Sequence, residues 1–309
     1  MQGMRSRSVF AAFAAGLVAL AAAAVFAETD AAREFKRLTD ELRAKQGAMA
    51  SHEYFGLLER SLGDFIKRHP KSQEAGEAHF ALGRIYSSAG SPAKAIEHID
   101  AYLKAPGEKS PDQRAQAKFV LASSQIALER YDEAEKLLRE VAGAGLAVDP
   151  RIVEAASGEL SRVEALRRVK IGAPAAGVSG TSHQGKRVDL AKYRGKVVLI
   201  DFWAAWCAPC RMEMPNVIRT YNEFHKKGFE IIGVSLDENR TQFDNFIREN
   251  KMEWPQLFDG KGWQSGIARA YGVSAIPATF LVDRAGNIRY KNVRGPKLRE
   301  AVEKLLAEK

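Results

Sequence analysis

The chain has 309 residues, 46% of them hydrophobic, and a formal charge of +9. That length suits two domains plus a targeting segment and is enough for well-filled cores. Basic residues alternate with acids and form no run interleaved with aromatics, which argues against a nucleic-acid partner and for a solvated, mildly basic surface.

The N-terminus reads as an export signal. Arg5 and Arg7 precede residues 9–27, which carry no charged side chain, and Glu28 and Asp30 follow. A basic start, an apolar run and small residues at its end (Val25, Ala27) make a secretory signal, with cleavage expected after Ala27. The alternative is an uncleaved anchor formed by residues 9–27. Export implies a bacterial periplasm or its equivalent. No cysteine lies near the cut, so a lipid-modified cysteine is excluded.

Residues 28–168 read as an all-α domain. Phe35, Leu38 and Leu42 recur at helical spacing, as do Tyr54, Leu57, Leu58, Leu62, Phe65 and Ile66 before Pro70. A repeat follows, with Leu82 matching Leu121 and Ala95 matching Ala134, each 39 positions on (121 − 82 and 134 − 95). Small residues at these places let paired helices approach closely. The pattern resembles tetratricopeptide repeats, although the period exceeds their usual value of about 34. The extra length falls in residues 104–111, rich in Pro, Gly, Ser and Lys. Residues 54–70 would be half of a degenerate first repeat, and residues 152–169 a closing helix. Such a domain would dock a protein partner or simply space and cap the second domain.

At Ile171-Gly172-Ala173-Pro174 the composition shifts, and residues 169–309 read as an α/β domain built around one sheet. Strands are expected near residues 182–190, 197–203, 229–236 and 254–258. Helices are expected at 241–250, 262–271 and 297–304, and residues 279–283 and 287–293 form a hairpin.

The first long strand leads into Trp206-Cys207-Ala208-Pro209-Cys210, which holds the only two cysteines, and an amphipathic segment follows. Strand, C-x-x-C, helix is a redox arrangement. The two thiols can close into a disulfide with little backbone movement, and the first faces the positive end of the helix, which favours its thiolate. A zinc site would need two more Cys or His ligands; no other cysteine exists and the six histidines are scattered, so no metal or other cofactor is expected. His183 and His225 read as surface residues without a role.

Further residues carry a family resemblance. Residues 200–210 are similar to the thioredoxin active-site segment, and Ile276-Pro277-Ala278-Thr279 looks like its cis-proline loop. Arg211-Met212-Glu213-Met214-Pro215, Val234-Ser235-Leu236-Asp237 and the insertion between Asp237 and Gly262 resemble thiol-disulfide reductases of the TlpA/ResA type. The resemblance implies a multidomain chain: a tetratricopeptide-like helical domain followed by a thioredoxin-like one. Cys207 would be the partly exposed attacking thiol and Cys210 the resolving thiol, the pair forming the redox-active disulfide. Ala208 and Pro209 would set redox poise, and Pro277, as a cis residue, would turn the loop so that Ile276 meets an extended substrate. Trp206 would contact the partner, and core packing would suffice to explain Trp203.

Asp201 matches the buried acid of thioredoxin and would relay a proton to or from Cys210; Glu213 matches an acid of the ResA type. Each has a plainer reading, Asp201 as a hydrogen-bonded core group and Glu213 as a helix-surface charge. The activity implied is that of an exported reductase acting on disulfide-containing proteins, fed by a membrane-linked electron donor, with cytochrome c maturation as one pathway. An oxidase or isomerase, or a helical-repeat scaffold with a redox-sensing domain, are the alternatives. A peroxidase would want Thr/Ser-x-x-Cys, where this chain has Ala204-Ala205-Trp206-Cys207.

Overall fold

The computed structural model describes residues 29–308. The segment read as an export signal, residues 1–27, lies outside them. Among the described residues no helix is long and apolar enough to cross a membrane. The chain divides into two compact units between Ser157 and Gly158.

The first unit is helical: α1 (Asp30–Lys45), α2 (Ser51–Arg68), α3 (Gln73–Ser88), α4 (Pro92–Lys104), α5 (Pro111–Ala127), α6 (Tyr131–Ala142) and the start of α7 (Pro150–Arg168). Local chemistry marks the helix starts. Ser72 caps α3, and Ser110 with Gln113 forms a reciprocal capping box on α5 before Pro111. Ala95 and Ala134, matched in the repeat, and three further small residues lie where helices meet. Ala78, Ala95, Ala117 and Ala134 are fully buried. A Cβ on Gly83 would come within 2.5 Å of Ile99 Cδ1.

The division falls inside α7, eleven residues before the 168/169 boundary read from composition (169 − 158). The second half of α7 packs with the following unit: Arg162 Nε donates to Gly272 O at 3.2 Å, and Leu166 lies against Gly272. The composition break marks where β structure begins, not where packing changes hands.

The second unit contains β1 (Ser179–Thr181), β2 (Arg187–Asp189), β3 (Val197–Trp203), α8 (Ala208–Phe224), β4 (Phe229–Ser235), α9 (Arg240–Glu249), β5 (Gln256–Phe258), α10 (Gly266–Ala270), β6 (Ala278–Val282), β7 (Ile288–Lys291) and α11 (Pro296–Ala307). It has two sheets where one was expected: β1 and β2 pair on their own, and five strands run in the order β5-β4-β3-β6-β7. β3 is central, parallel to β4 and antiparallel to β6, and every one of its residues is buried. That is why it reads as a near-continuous apolar run. The helix expected over 262–271 is broken into a 3₁₀ turn, Gly262–Gln264, and the short α10. The break falls at Ser265, whose ψ of 127° is extended rather than helical, while Gly262 opens the turn with φ +53°.

Candidate active site

β3 sets the site's floor. Side chains alternate along a strand, so Asp201 and Trp203 share one face and Phe202 takes the other. Phe202 packs on Tyr271 and Phe280. Asp201 and Trp203 instead line a cavity with Cys210, Glu213, Met214 and Val217 from α8. In the antiparallel register Asp201 stands opposite Thr279, which places Pro277 at the same end of the sheet. The Ile276–Pro277 peptide is cis. Pro277 and Arg294 also line the cavity, whose volume open to a water centre is about 10 Å³, the scale of a single water.

Cys207 is the N-cap of α8, and Cys210 N–H points at its sulfur at 3.2 Å. The two cysteines form a disulfide with Cα atoms 5.2 Å apart, so this is the oxidised form. Pro209 sits in the first helical turn, where a missing N–H costs little. Ala208, Pro209 and Trp206 are exposed around the pair. Cys207 itself is not partly exposed, as the sequence suggested: it is 4% accessible and Cys210 2%. Its sulfur lies 3.6 Å from Ile276 O, so the proline loop covers it.

The two acids differ in setting. Burial first, and the nearby Glu213 charge second, push the Asp201 carboxyl up to about 7, with Arg294 working against both. Glu213 is half-buried: Oε1 accepts Gly295 N–H at 2.7 Å and Oε2 accepts Asn216 Nδ2 at 3.2 Å. It therefore fastens the loop before α11 onto α8, which is more than a helix-surface charge does. Arg294, in that loop, donates to Pro277 O.

Three supporting residues were given no role by the sequence reading, although Asp237 stood in one of its motifs. Asp237 is fully buried; both its oxygens accept Ala205 N–H at 3.0 Å and one accepts Ser235 Oγ at 2.8 Å. Gln256 Oε1 accepts Trp203 Nε1 at 2.9 Å, which makes Trp203 a core residue. Arg294 is the third. The only available signal was the buried-strand run ending in Ser235-Leu236-Asp237, where an acid follows apolar residues. His183 is half-buried, where the sequence had it on the surface, and burial lowers its pKa. Among the described residues no group of three or more His, Cys, Asp or Glu could hold a metal ion.

Residues 171–291 match the family model described as the AhpC/TSA family. The thiol-disulfide oxidoreductase ResA of Bacillus thuringiensis subsp. konkukian (strain 97-27) is 33% identical over 139 residues, 45% of this chain and 78% of that protein. ResA of Bacillus subtilis (strain 168) is 34% identical over 104 residues, 34% of this chain and 56% of that protein. Among solved structures, the thioredoxin domain of a thiol-disulfide oxidoreductase from Bacteroides vulgatus is 37% identical with a TM-score of 0.42, covering 44% of this chain and 98% of that one.

Proposed function

We propose that this chain, which belongs to the ResA family of thiol-disulfide oxidoreductases, is an exported reductase of protein disulfides. The observation that carries the chemistry is Cys210 N–H aimed at Cys207 Sγ at the start of α8. In the reduced form the same amide and the helix terminus favour a Cys207 thiolate.

The thiolate attacks one sulfur of a substrate disulfide. A new S–S bond forms, the substrate's bond breaks, and its second sulfur leaves as a thiolate. Cys210, deprotonated, then attacks Cys207 Sγ; the Cys207–Cys210 disulfide forms and the remaining substrate sulfur departs. Two electrons pass to the substrate, and its two sulfurs take up two protons. Asp201, whose carboxyl titrates near neutrality, lines the same cavity as Cys210 and accepts the proton that Cys210 must lose. Glu213 and Arg294 hold the surrounding loops and tune Asp201. The exposed Trp206, Ala208 and Pro209 and the half-buried Ile276 form the rim that meets the substrate.

Export is supported by residues 1–27, with their basic start and apolar run. In a periplasm the oxidised pair must be re-reduced by a membrane-linked electron donor. Cytochrome c maturation is the pathway that the TlpA/ResA resemblance suggests. Buried alanines and Gly83 at the helix contacts support a tetratricopeptide-like reading of the first unit, which would then dock a protein partner.

Trapping tests this reading. The full chain with Cys210→Ser should accumulate mixed disulfides through Cys207 with exported proteins. Their absence, with Cys207 demonstrably reduced, refutes it.

A further inference from the structure

Six large apolar side chains are exposed among the described residues, and Trp206, Met212 and Trp263 are three of them. Trp206 directly precedes Cys207. Trp263 is 57 residues further on (263 − 206), yet its ring centroid lies 6.3 Å from that of Trp206, with the ring planes inclined at 56°. Trp206 is 52% exposed and Trp263 37%, so the two indoles leave an open angle beside the redox pair.

Both tryptophans are tied to consecutive residues after β4, the buried Asp237 and the exposed Glu238. Asp237 accepts the backbone N–H of Ala205 and of Trp206. The next residue, Glu238, packs on the turn that carries Trp263: a Cβ on Gly262 would come within 2.6 Å of Glu238 Oε1. Gly262 is buried with φ +53°, and Ser265 N–H closes the turn on Gly262 O at 3.1 Å. Lys261 N–H is held by Asp259 Oδ1 at 3.0 Å. Trp263 therefore stands on a fixed turn, and its exposure is not that of a loose loop. Rigid aromatic walls with little rotamer freedom to lose are the usual anchors of protein recognition.

We propose that Trp206 and Trp263 form a two-walled cleft that receives an apolar side chain flanking the disulfide cysteine of the protein substrate, and that Trp263 is a specificity-determining residue. The occupant follows from position. A polypeptide whose disulfide reaches Cys207 must lie against Trp206, and the neighbouring side chain of its extended segment enters the angle between the rings. A flat or long apolar group covers both indole faces; a small polar one leaves them wet. The inference rests on the protein-disulfide reading above.

The test uses the full chain reduced with dithiothreitol and two synthetic peptides, each closed by one disulfide and differing only in Phe or Ser beside a cysteine. The wild-type protein should prefer the Phe peptide by about tenfold in kcat/KM, through KM. Trp263→Ala should bring that ratio close to one, and Trp263→Phe should retain part of it. The ratio is internal to each variant, so a change in folded fraction does not move it. No preference in the wild type, or an unchanged ratio in Trp263→Ala, overturns the inference alone. A wild-type protein that reduces hydroxyethyl disulfide but neither peptide overturns the protein-disulfide reading, and the cleft with it.

Discussion

Asp237 holds the backbone N–H of Ala205 on both carboxylate oxygens, each at 3.0 Å. This joins the end of β4 to the loop that carries Trp206 and Cys207. Ser235 Oγ donates to the same carboxylate, and Asp237 N–H donates back to Ser235 Oγ at 3.0 Å. Asp237→Ala strips the loop of its acceptor and leaves these donors short of a partner. The expected cost is about 2–4 kcal/mol of stability in the oxidised protein. Asp237→Asn, which keeps one carbonyl acceptor, should cost less. Urea unfolding of the two variants checks the order; equal midpoints would show that the loop is held by other contacts.

Asp201 links stability to pH. Its folded pKa, about 7, lies above the ordinary aspartate value of 3.8. The native state therefore favours the protonated carboxyl. This contribution is fully present below pH 3.8 and is lost as pH rises through about 7, where ionisation buries a charge. The difference is on the order of a few kcal/mol. Asp201→Asn should remove this decline, flattening stability between pH 4 and pH 8 relative to the wild type. The same substitution should slow release of the mixed disulfide by about a hundredfold at pH 8. Stopped-flow single turnovers give the second number and denaturant titrations the first.

Glu213 tunes that carboxyl from the next helix. Its charge raises the Asp201 pKa. Glu213→Gln keeps an acceptor for Gly295 N–H but removes the charge, so the midpoint of the Asp201-dependent rate profile should move to lower pH. An unmoved midpoint, measured over pH 5 to 9, would mean that the Glu213 charge is screened from Asp201.

Gly233 is required by the same core. A Cβ there would lie 1.8 Å from Gln256 Oε1, the atom that accepts Trp203 Nε1. Gln256 is fully buried and cannot swing clear. Gly233→Ala should cost about 2–4 kcal/mol, from overpacking plus a tryptophan N–H left unpaired. A calorimetric melting temperature within a degree of wild type would contradict this packing.

Cys207→Ser should abolish reduction of insulin by the reduced protein, because it removes the thiol at the helix start. Cys210→Ser should still attack but stall as the mixed disulfide. Turbidity of precipitating insulin and non-reducing gels separate the two failures.

The sequence showed most of this architecture where one element decides its own pattern. The run Val197-Val198-Leu199-Ile200 is apolar because β3 is buried on both faces, so the unbroken, mostly β-branched run by itself placed the strand. The cysteines were legible through their own chemistry and spacing, and Pro277 through the resemblance of residues 276–279 to the thioredoxin cis-proline loop. What stayed hidden depends on segments distant in the chain. Nothing in residues 201–213 announces that Arg294 and Gly295 return to the site, or that Gln256 caps Trp203. The burial of Cys207 was likewise illegible, since its cover is Ile276, 69 residues away. The helix expected over 262–271 failed for a local reason, the extended backbone of Ser265, which composition does not reveal.

The 4% and 2% accessibilities of Cys207 and Cys210 have a consequence for electron traffic. Thiol–disulfide exchange needs a line of approach to sulfur. A small thiol meets the narrow seam between Ile276 and the start of α8 with nothing to hold it there, whereas a protein donor has the exposed Trp206 beside it to dock on. The oxidised pair should therefore accept electrons more slowly from a small thiol than from a protein thiol that docks on that rim, with small dithiols at high concentration still able to reduce it.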